Sequence, residues 1–92
     1  MNVSVQTLDA GTFEVTVSGS SPTTHLVTVA PDYAEKLTGG HTPVAHLIHR
    51  SFDFLLEREP NTSILGRFDL SVIGRYFPEY ERVIRTMLDR EL

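Results

Sequence analysis

Hydrophobic and polar residues alternate along the first thirty residues of the chain, and their period lengthens after that point. Phe13, Val15 and Val17 are separated from one another by single polar residues, which is the pattern of a β-strand with one buried face. The link Asp9-Ala10-Gly11 is short enough for a hairpin connection. We therefore predict a three-stranded antiparallel meander, formed by residues 3–8, 12–18 and 24–30.

Apolar residues recur at helical spacing from residue 31 onward. Asp32 and Glu35 have the spacing of a capping box, which predicts a short helix that ends at Gly39-Gly40. Thr42 is then expected to cap a long central helix, with a proline at its first position, where a missing N–H is tolerated. This second helix is predicted to run from Pro43 to Glu59.

Residues 61–77 contain a near-repeat, in which Ile64-Leu65-Gly66-Arg67-Phe68 is followed by Val72-Ile73-Gly74-Arg75-Tyr76. We predict two short helical turns here, each capped by a polar side chain and stopped by a glycine in the left-handed conformation. The caps and stops are Asn61 with Gly66 and Asp69 with Gly74. Pro78 then opens the last helix, where Glu81 and Arg85 have the spacing of an ion pair.

Together these elements predict an α+β fold that forms one domain over residues 1–92. The three-stranded antiparallel β-meander occupies residues 1–30, and the helical part occupies residues 31–92. That part consists of a short helix, a long central helix and a C-terminal helical segment. A chain of 92 residues buries only about 60–65% of its unfolded surface, so a second copy would add useful contacts.

The predicted central helix is apolar over a wide arc, about 200° of the helical wheel, and a helix that packs on one sheet needs only about half of this. We therefore predict that it is covered on two sides. The sheet provides one cover, and either the C-terminal helices or a second subunit provides the other. The residues of this packing or dimer face are Val44, Leu47, Ile48, Phe52, Phe54 and Leu55.

Composition and charge restrict the classes of function. The chain has no cysteine, which excludes disulfides, thiol catalysis and cysteine-based metal sites. It starts without a basic leader and has no apolar run of membrane-spanning length, so we expect a cytoplasmic protein that is not bound to a membrane. The net charge is −4, and the seven arginines of residues 41–92 are interleaved with eight carboxylates. This pattern argues against nucleic acid as a partner.

His46, His49 and Asp53 lie within about 60° of one another on the polar side of the central helix. Two imidazoles and one carboxylate at this spacing supply three metal ligands and leave a fourth position open, as in a catalytic zinc site. The alternative is a solvated helix face with a contact between His49 and Asp53. We prefer this alternative and predict no metal or other cofactor.

Arg67, Arg75 and Tyr76 are the candidates for binding a partner or an anion. Guanidinium groups bind carboxylates and phosphates through two parallel hydrogen bonds. The alternative pairs these arginines with Asp69, Glu79 or Glu81 on the surface of the same chain. His25 is expected at the surface or at a sheet edge. No serine lies in a nucleophile-elbow context, so an enzyme has no support from the sequence.

Residues 26–59 resemble the ribbon-helix-helix family of DNA-binding proteins. The likeness consists of a strand, a Pro-Asp helix start, a glycine-containing turn and a second amphipathic helix. The resemblance implies that the strands of two chains pair, and that His25, Val27 and Val29 read the major groove. The stretches SFDFLLEREP and RYFPEYERVI also look like those of small uncharacterised bacterial proteins, a likeness that implies no activity.

We predict a small, soluble, non-enzymatic module for protein interaction or assembly. Its expected partner is a second copy in a homodimer, with another protein as the alternative partner. The first alternative function is a DNA-binding regulator of the ribbon-helix-helix, antitoxin type. The second is a metal-dependent enzyme that uses His46, His49 and Asp53.

Overall fold

The computed structural model describes residues 2–91 and has an α+β fold, with one four-stranded sheet and four helices. The strand order is the order along the chain. The strands are β1 (Asn2–Asp9), β2 (Thr12–Ser18), β3 (Thr23–Thr28) and β4 (Arg67–Asp69). The helices are α1 (Pro31–Thr38), α2 (Val44–Leu56), α3 (Ile73–Tyr76) and α4 (Tyr80–Asp89). Within residues 2–91, no helix combines the length and apolar character needed to cross a membrane.

The antiparallel meander of β1, β2 and β3 forms as predicted. Its register places side chains that face the core in rows across the sheet, and one such row is Val5, Val15 and His25. The alternation of residues along β3 therefore directs His25 to the core face, beside Val15 and Phe52, and its side chain is 1% exposed. The prediction of a histidine at the surface or at a sheet edge is wrong. In the period-two pattern of β3, residue 25 falls on the same face as the buried Val27.

A fourth strand corrects the prediction of a three-stranded sheet. β4 pairs parallel with β3, and Phe68 lies opposite Val27. Asp69 accepts a hydrogen bond from the Thr28 hydroxyl at 2.8 Å. Partial burial favours a higher pKa of Asp69, but the hydrogen bonds from Ser71 and Thr28 outweigh it and lower the pKa. β4 has only three residues and its partner lies far away in the sequence, so no local pattern indicates it.

The segment between α2 and α4 uses different stops from those predicted. Asp69 does cap a 3₁₀ turn, Leu70–Val72, through a hydrogen bond from the Ser71 amide at 3.2 Å. This turn continues directly into α3, so Gly74 lies inside a helix and does not stop it. Within residues 2–91, Gly66 and Gly74 both lack the left-handed conformation. The glycines of the near-repeat are therefore not helix stops.

The boundaries of the first two helices agree with the sequence in part. α1 ends as predicted, since Gly39 adopts the left-handed conformation with φ of 66° and its amide bonds to the Glu35 carbonyl. α2 is shorter than predicted, because it ends at Leu56 and not at Glu59. Pro43 precedes its first turn, which has no side-chain cap, so the predicted cap at Thr42 is not formed.

The wide apolar face of α2 is covered on two sides by the same chain. Phe52 faces the sheet, where its ring lies 5.3 Å from His25 and 6.1 Å from Phe68, measured between ring centroids. Phe54 faces α4, and its ring meets Tyr80 edge-on at 5.2 Å. The other buried residues of this face are Leu47, Ile48 and Leu55, whereas Val44 is half-buried. The width of the apolar face therefore does not require a second subunit.

One polar pair lies inside the contact between α2 and α4. The Ser51 hydroxyl donates to the Leu47 carbonyl at 2.8 Å and lies 2.7 Å from the Tyr80 hydroxyl, which donates to it. Ser51 and Tyr80 are fully buried. Burial raises the pKa of Tyr80 well above its ordinary value, so this side chain stays a neutral donor.

A second polar contact joins α1 to α4 nearer the surface. Glu81 accepts a hydrogen bond from the Tyr33 hydroxyl at 2.9 Å and forms an ion pair with Lys36 at 3.0 Å. The predicted ion pair between Glu81 and Arg85 is absent from the part of the chain that the structure describes. The carboxylate instead turns toward α1, where it holds two helices together.

We expect Ser51→Ala to lower the free energy of unfolding by about 1–3 kcal/mol, because it leaves the buried Tyr80 hydroxyl without a partner. Tyr80→Phe should cost less, about 0.5–1.5 kcal/mol, since Ser51 still donates to the Leu47 carbonyl. Urea unfolding of both single variants and the double variant measures the coupling. Strictly additive losses would show that the two hydroxyls do not interact.

We expect Glu81→Gln to lower the free energy of unfolding at neutral pH by up to about 1 kcal/mol, because the side chain is partly exposed. The Lys36 and Tyr33 contacts lower the pKa of Glu81. A carboxyl group with a lowered folded-state pKa stabilises the fold above its ordinary pKa of 4.5. That contribution disappears as the pH falls through the folded-state value, so the variant and the wild type should converge in acid.

Urea unfolding at about pH 7 and about pH 3 provides this comparison. Glu35→Gln is the matched control, because Glu35 is an exposed carboxylate of α1. It should change the unfolding free energy little at either pH. A loss for Glu81→Gln that is equal at both values would refute the electrostatic explanation.

Candidate functional site

The surface of the described residues has an apolar groove of about 360 Å³. It lies between the C-terminal end of α2 and the segment of residues 63–77. Its polar members are Glu59 and Ser63. Its apolar members are Leu55, Ile64, Leu65, Phe68, Val72, Ile73, Tyr76 and Phe77. A depression of this volume and composition is typical of a binding site.

The apolar members of the groove differ in how much they are exposed. Leu55, Ile64 and Ile73 are buried and belong to the hydrophobic core. Leu65 is 49% exposed and Tyr76 is 67% exposed. Together with Leu8, these two are the exposed large hydrophobic side chains of residues 2–91. Two of the three therefore lie at one groove, which distinguishes it from scattered single residues on a surface.

A partly buried polar network holds one wall of the groove. The Leu65 carbonyl can only accept a hydrogen bond, so the His25 Nδ1, at 2.7 Å, carries the proton. Nε2 of His25 then accepts from the Thr23 hydroxyl at 2.8 Å. The Thr23 oxygen in turn accepts from the Asn61 amide at 2.9 Å, and the same amide donates to the Ser21 carbonyl at 2.8 Å. The network thus fixes residues 61–65 against β3.

Arg67 and Arg75 are exposed and lie on the segment that forms this wall. Within the described residues neither forms an ion pair. The acids predicted as their neighbours have other partners. Asp69 bonds to Ser71 and Thr28, Glu79 to Arg58, and Glu81 to Lys36 and Tyr33. These pairings leave both guanidinium groups available to an external carboxylate.

The polar face of α2 forms a cluster of ion pairs around Arg50. The Arg50 guanidinium bonds to Asp53 at 2.8 Å and approaches Glu91 at 3.1 Å. His46 contacts Glu91 at 2.6 Å, while His49 lies 3.5 Å from Asp53, too far for a hydrogen bond. Among residues 2–91, no three His, Asp or Glu side chains are arranged to hold a metal ion. A metal cation at this position would also be repelled by the Arg50 guanidinium, which lies between the carboxylates of Asp53 and Glu91.

Comparison with protein-family models, with curated proteins and with solved structures finds no match for this chain. The position of β3 in the sheet differs from that of the DNA-reading strand that the resemblance to ribbon-helix-helix proteins implies. β3 pairs with β2 on one side and with β4 on the other, so it is an internal strand. His25, Val27 and Val29 are buried, and none of them faces solvent where a DNA groove could reach it.

One of the three residues that the sequence suggested for partner or anion binding lies at this groove. Tyr76 does line the groove, and Arg67 and Arg75 lie on the same segment. The interpretation of the near-repeat as helix stops missed Leu65, whose exposure beside the buried Ile64 depends on the return of the chain to β3. The sequence does contain a signal for Leu65. It is an apolar residue in a segment too short to form an amphipathic helix that would bury it.

We expect Asn61→Ala to lower the free energy of unfolding by about 1–3 kcal/mol, because it removes two partly buried hydrogen bonds, to the Ser21 carbonyl and the Thr23 hydroxyl. Thr62→Ala is the matched control, since Thr62 is exposed and should change stability little. Chemical denaturation followed by circular dichroism measures both. Equal effects of the two substitutions would show that the network contributes nothing specific.

Proposed function

We propose that this protein is a non-enzymatic interaction module that binds a segment of another protein in the apolar groove. The observation that carries the proposal is the exposure of Leu65 and Tyr76 at the groove mouth. Each would lose solvent contact when an apolar side chain of a partner enters. Aromatic residues at the centre of such patches commonly supply much of the binding free energy.

The charges near the groove support a partner segment that carries a carboxylate beside its apolar anchor. Arg67 and Arg75 are exposed and form no ion pair within residues 2–91, and the nearby acids Asp69 and Glu79 are already engaged. Glu59 in the groove wall places one negative charge against these two positive charges. An incoming Asp or Glu would gain a charge-assisted hydrogen bond at little cost in exposed surroundings. The predicted occupant is thus a short amphipathic segment with one large apolar residue and an adjacent acid.

The chemistry of the groove favours binding over catalysis. Its polar side chains are Glu59, Ser63 and the Tyr76 hydroxyl. The histidines of the chain lie elsewhere, with His25 inside the core and the others on or before α2. Glu59 and Tyr76 are titratable, but among the residues that line the groove no histidine, lysine or second carboxylate stands beside them as an acid–base partner. The proposal therefore retains the interaction function, with the groove in place of the α2 face as the contact surface.

Selection from a displayed library of random peptides, followed by fluorescence anisotropy, tests the proposal. Enriched peptides should carry a large apolar residue next to Asp or Glu. The variant Leu65→Ser/Tyr76→Ser should bind them at least about tenfold more weakly, and Arg67→Ala/Arg75→Ala should reduce affinity less and remove its salt dependence.

Leu8→Ser is the matched control, because Leu8 is also 49% exposed but lies at the end of β1, outside the groove. It should bind the selected peptides as the wild type does. Failure to enrich any peptide contradicts the proposal. Peptides that bind the groove variant and the wild type equally well also contradict it.

A further inference from the structure

The two edges of the sheet differ in how they are protected. β4, at one edge, has three residues and carries Arg67 and Asp69. β1, at the other edge, has eight residues, and its stretch 2–8 contains no charge and no proline. Natural edge strands are usually short, charged or interrupted by proline, because their free N–H and C=O groups attract other strands. β1 lacks all three of these protections over residues 2–8.

The side chains of β1 alternate with respect to the two faces of the sheet. Val3 and Val5 point to the helical side, where they are half-buried and pack against the core. Asn2, Ser4 and Gln6 are exposed on the opposite side. Val3 and Val5 lie opposite Val17 and Val15, which are fully buried because they have a strand on each side. A further strand beside β1 would complete the same cover for its two valines.

We propose that β1 pairs antiparallel with β1 of a second copy and joins the two sheets into one continuous sheet. This goes beyond the groove function, because it concerns the opposite edge of the sheet. A two-fold axis that relates antiparallel strands must be perpendicular to the sheet, so both copies keep their helices on the same side. Residues of like orientation then oppose one another, valine to valine and polar to polar.

The register of this pairing follows from the valines and the bulge. The β1–β2 register shifts between Thr7 and Asp9, so regular pairing of β1 ends near Thr7. An axis at Ser4 opposes Val3 with the partner's Val5 and Asn2 with the partner's Gln6. It also brings Ser4 against the partner's Ser4. An axis at Val5 would instead oppose Val3 with a threonine, so the axis at Ser4 gives the better apolar match.

The side-chain pattern of β1 favours a second copy of this chain over a foreign strand as the occupant. Each copy carries a net charge of −4, which opposes association in general. The uncharged stretch of residues 2–8 is the part of the sheet where two copies meet without like charges in opposition. The two-fold arrangement also matches the side-chain pattern of β1 to itself.

Sedimentation velocity of the 92-residue chain tests the proposal with substitutions at Ser4, the residue that lies opposite the partner's Ser4. Ser4→Lys and Ser4→Glu each place like charges opposite one another, so each should raise the dimer dissociation constant at least about tenfold. An equimolar mixture of the two variants should associate again, because opposite charges then meet. Ser4→Thr, which keeps a neutral polar side chain, should dimerise as the wild type does. Ser4 is exposed, so these variants should fold.

A wild-type protein that stays monomeric at about 100 µM would overturn the proposal. Ser4→Lys and Ser4→Glu variants that dimerise with unchanged affinity would overturn it as well. Leu65→Ser/Tyr76→Ser should leave dimerisation intact, since the groove is not part of this contact. A dimer that this groove variant abolishes, while the Ser4 variants retain it, would assign self-association to the groove and contradict pairing through β1.

Discussion

The burial of α2 on two opposite sides is the constraint on which the rest of the structure depends. Phe52 enters the sheet side and Phe54 enters the α4 side, and both are fully buried. Each such side chain contributes about 1.5–3 kcal/mol relative to full exposure. In a chain of 92 residues this arrangement gives one helix two hydrophobic interfaces. The remaining elements can then be short, since they mainly have to cover α2.

Two buried polar contacts give this packing its specificity. The Ser51 and Tyr80 hydroxyls meet between α2 and α4, and the His25 network ties residues 61–65 to β3. A uniformly apolar interface would tolerate small shifts of one helix along another, whereas a buried hydroxyl without its partner costs about 1–3 kcal/mol. Each contact therefore selects one relative position of its elements. The second contact shapes the groove, because Asn61 and the Leu65 carbonyl anchor both ends of the segment that contains Ile64.

Elements that follow from a local residue pattern could be predicted from the sequence. Elements that form only when residues far apart in the chain come together could not. Alternation in residues 12–18 and the wide apolar face of α2 predicted the meander and the two-sided packing. β4 was missed because three residues give no period, and its pairing with β3 joins residues about forty positions apart. The same return of the chain brings the Leu65 carbonyl against His25 and leaves the Leu65 side chain exposed. A candidate site built from sequence neighbours could therefore include Tyr76 but not the groove around it.

The short parallel strand β4 also explains why the two edges of the sheet have different characters. Residues 67–69 pair with β3 and form one edge of the sheet, and the segment of residues 63–77 that contains them lines the groove. The helices pack against one face and α2 lies over β1, but no described residue pairs with the free side of β1. A small chain has too few residues to cover a sheet edge and a helix at once. Covering α2 on both sides takes most of the helical residues, and the uncharged edge of β1 is what they leave open.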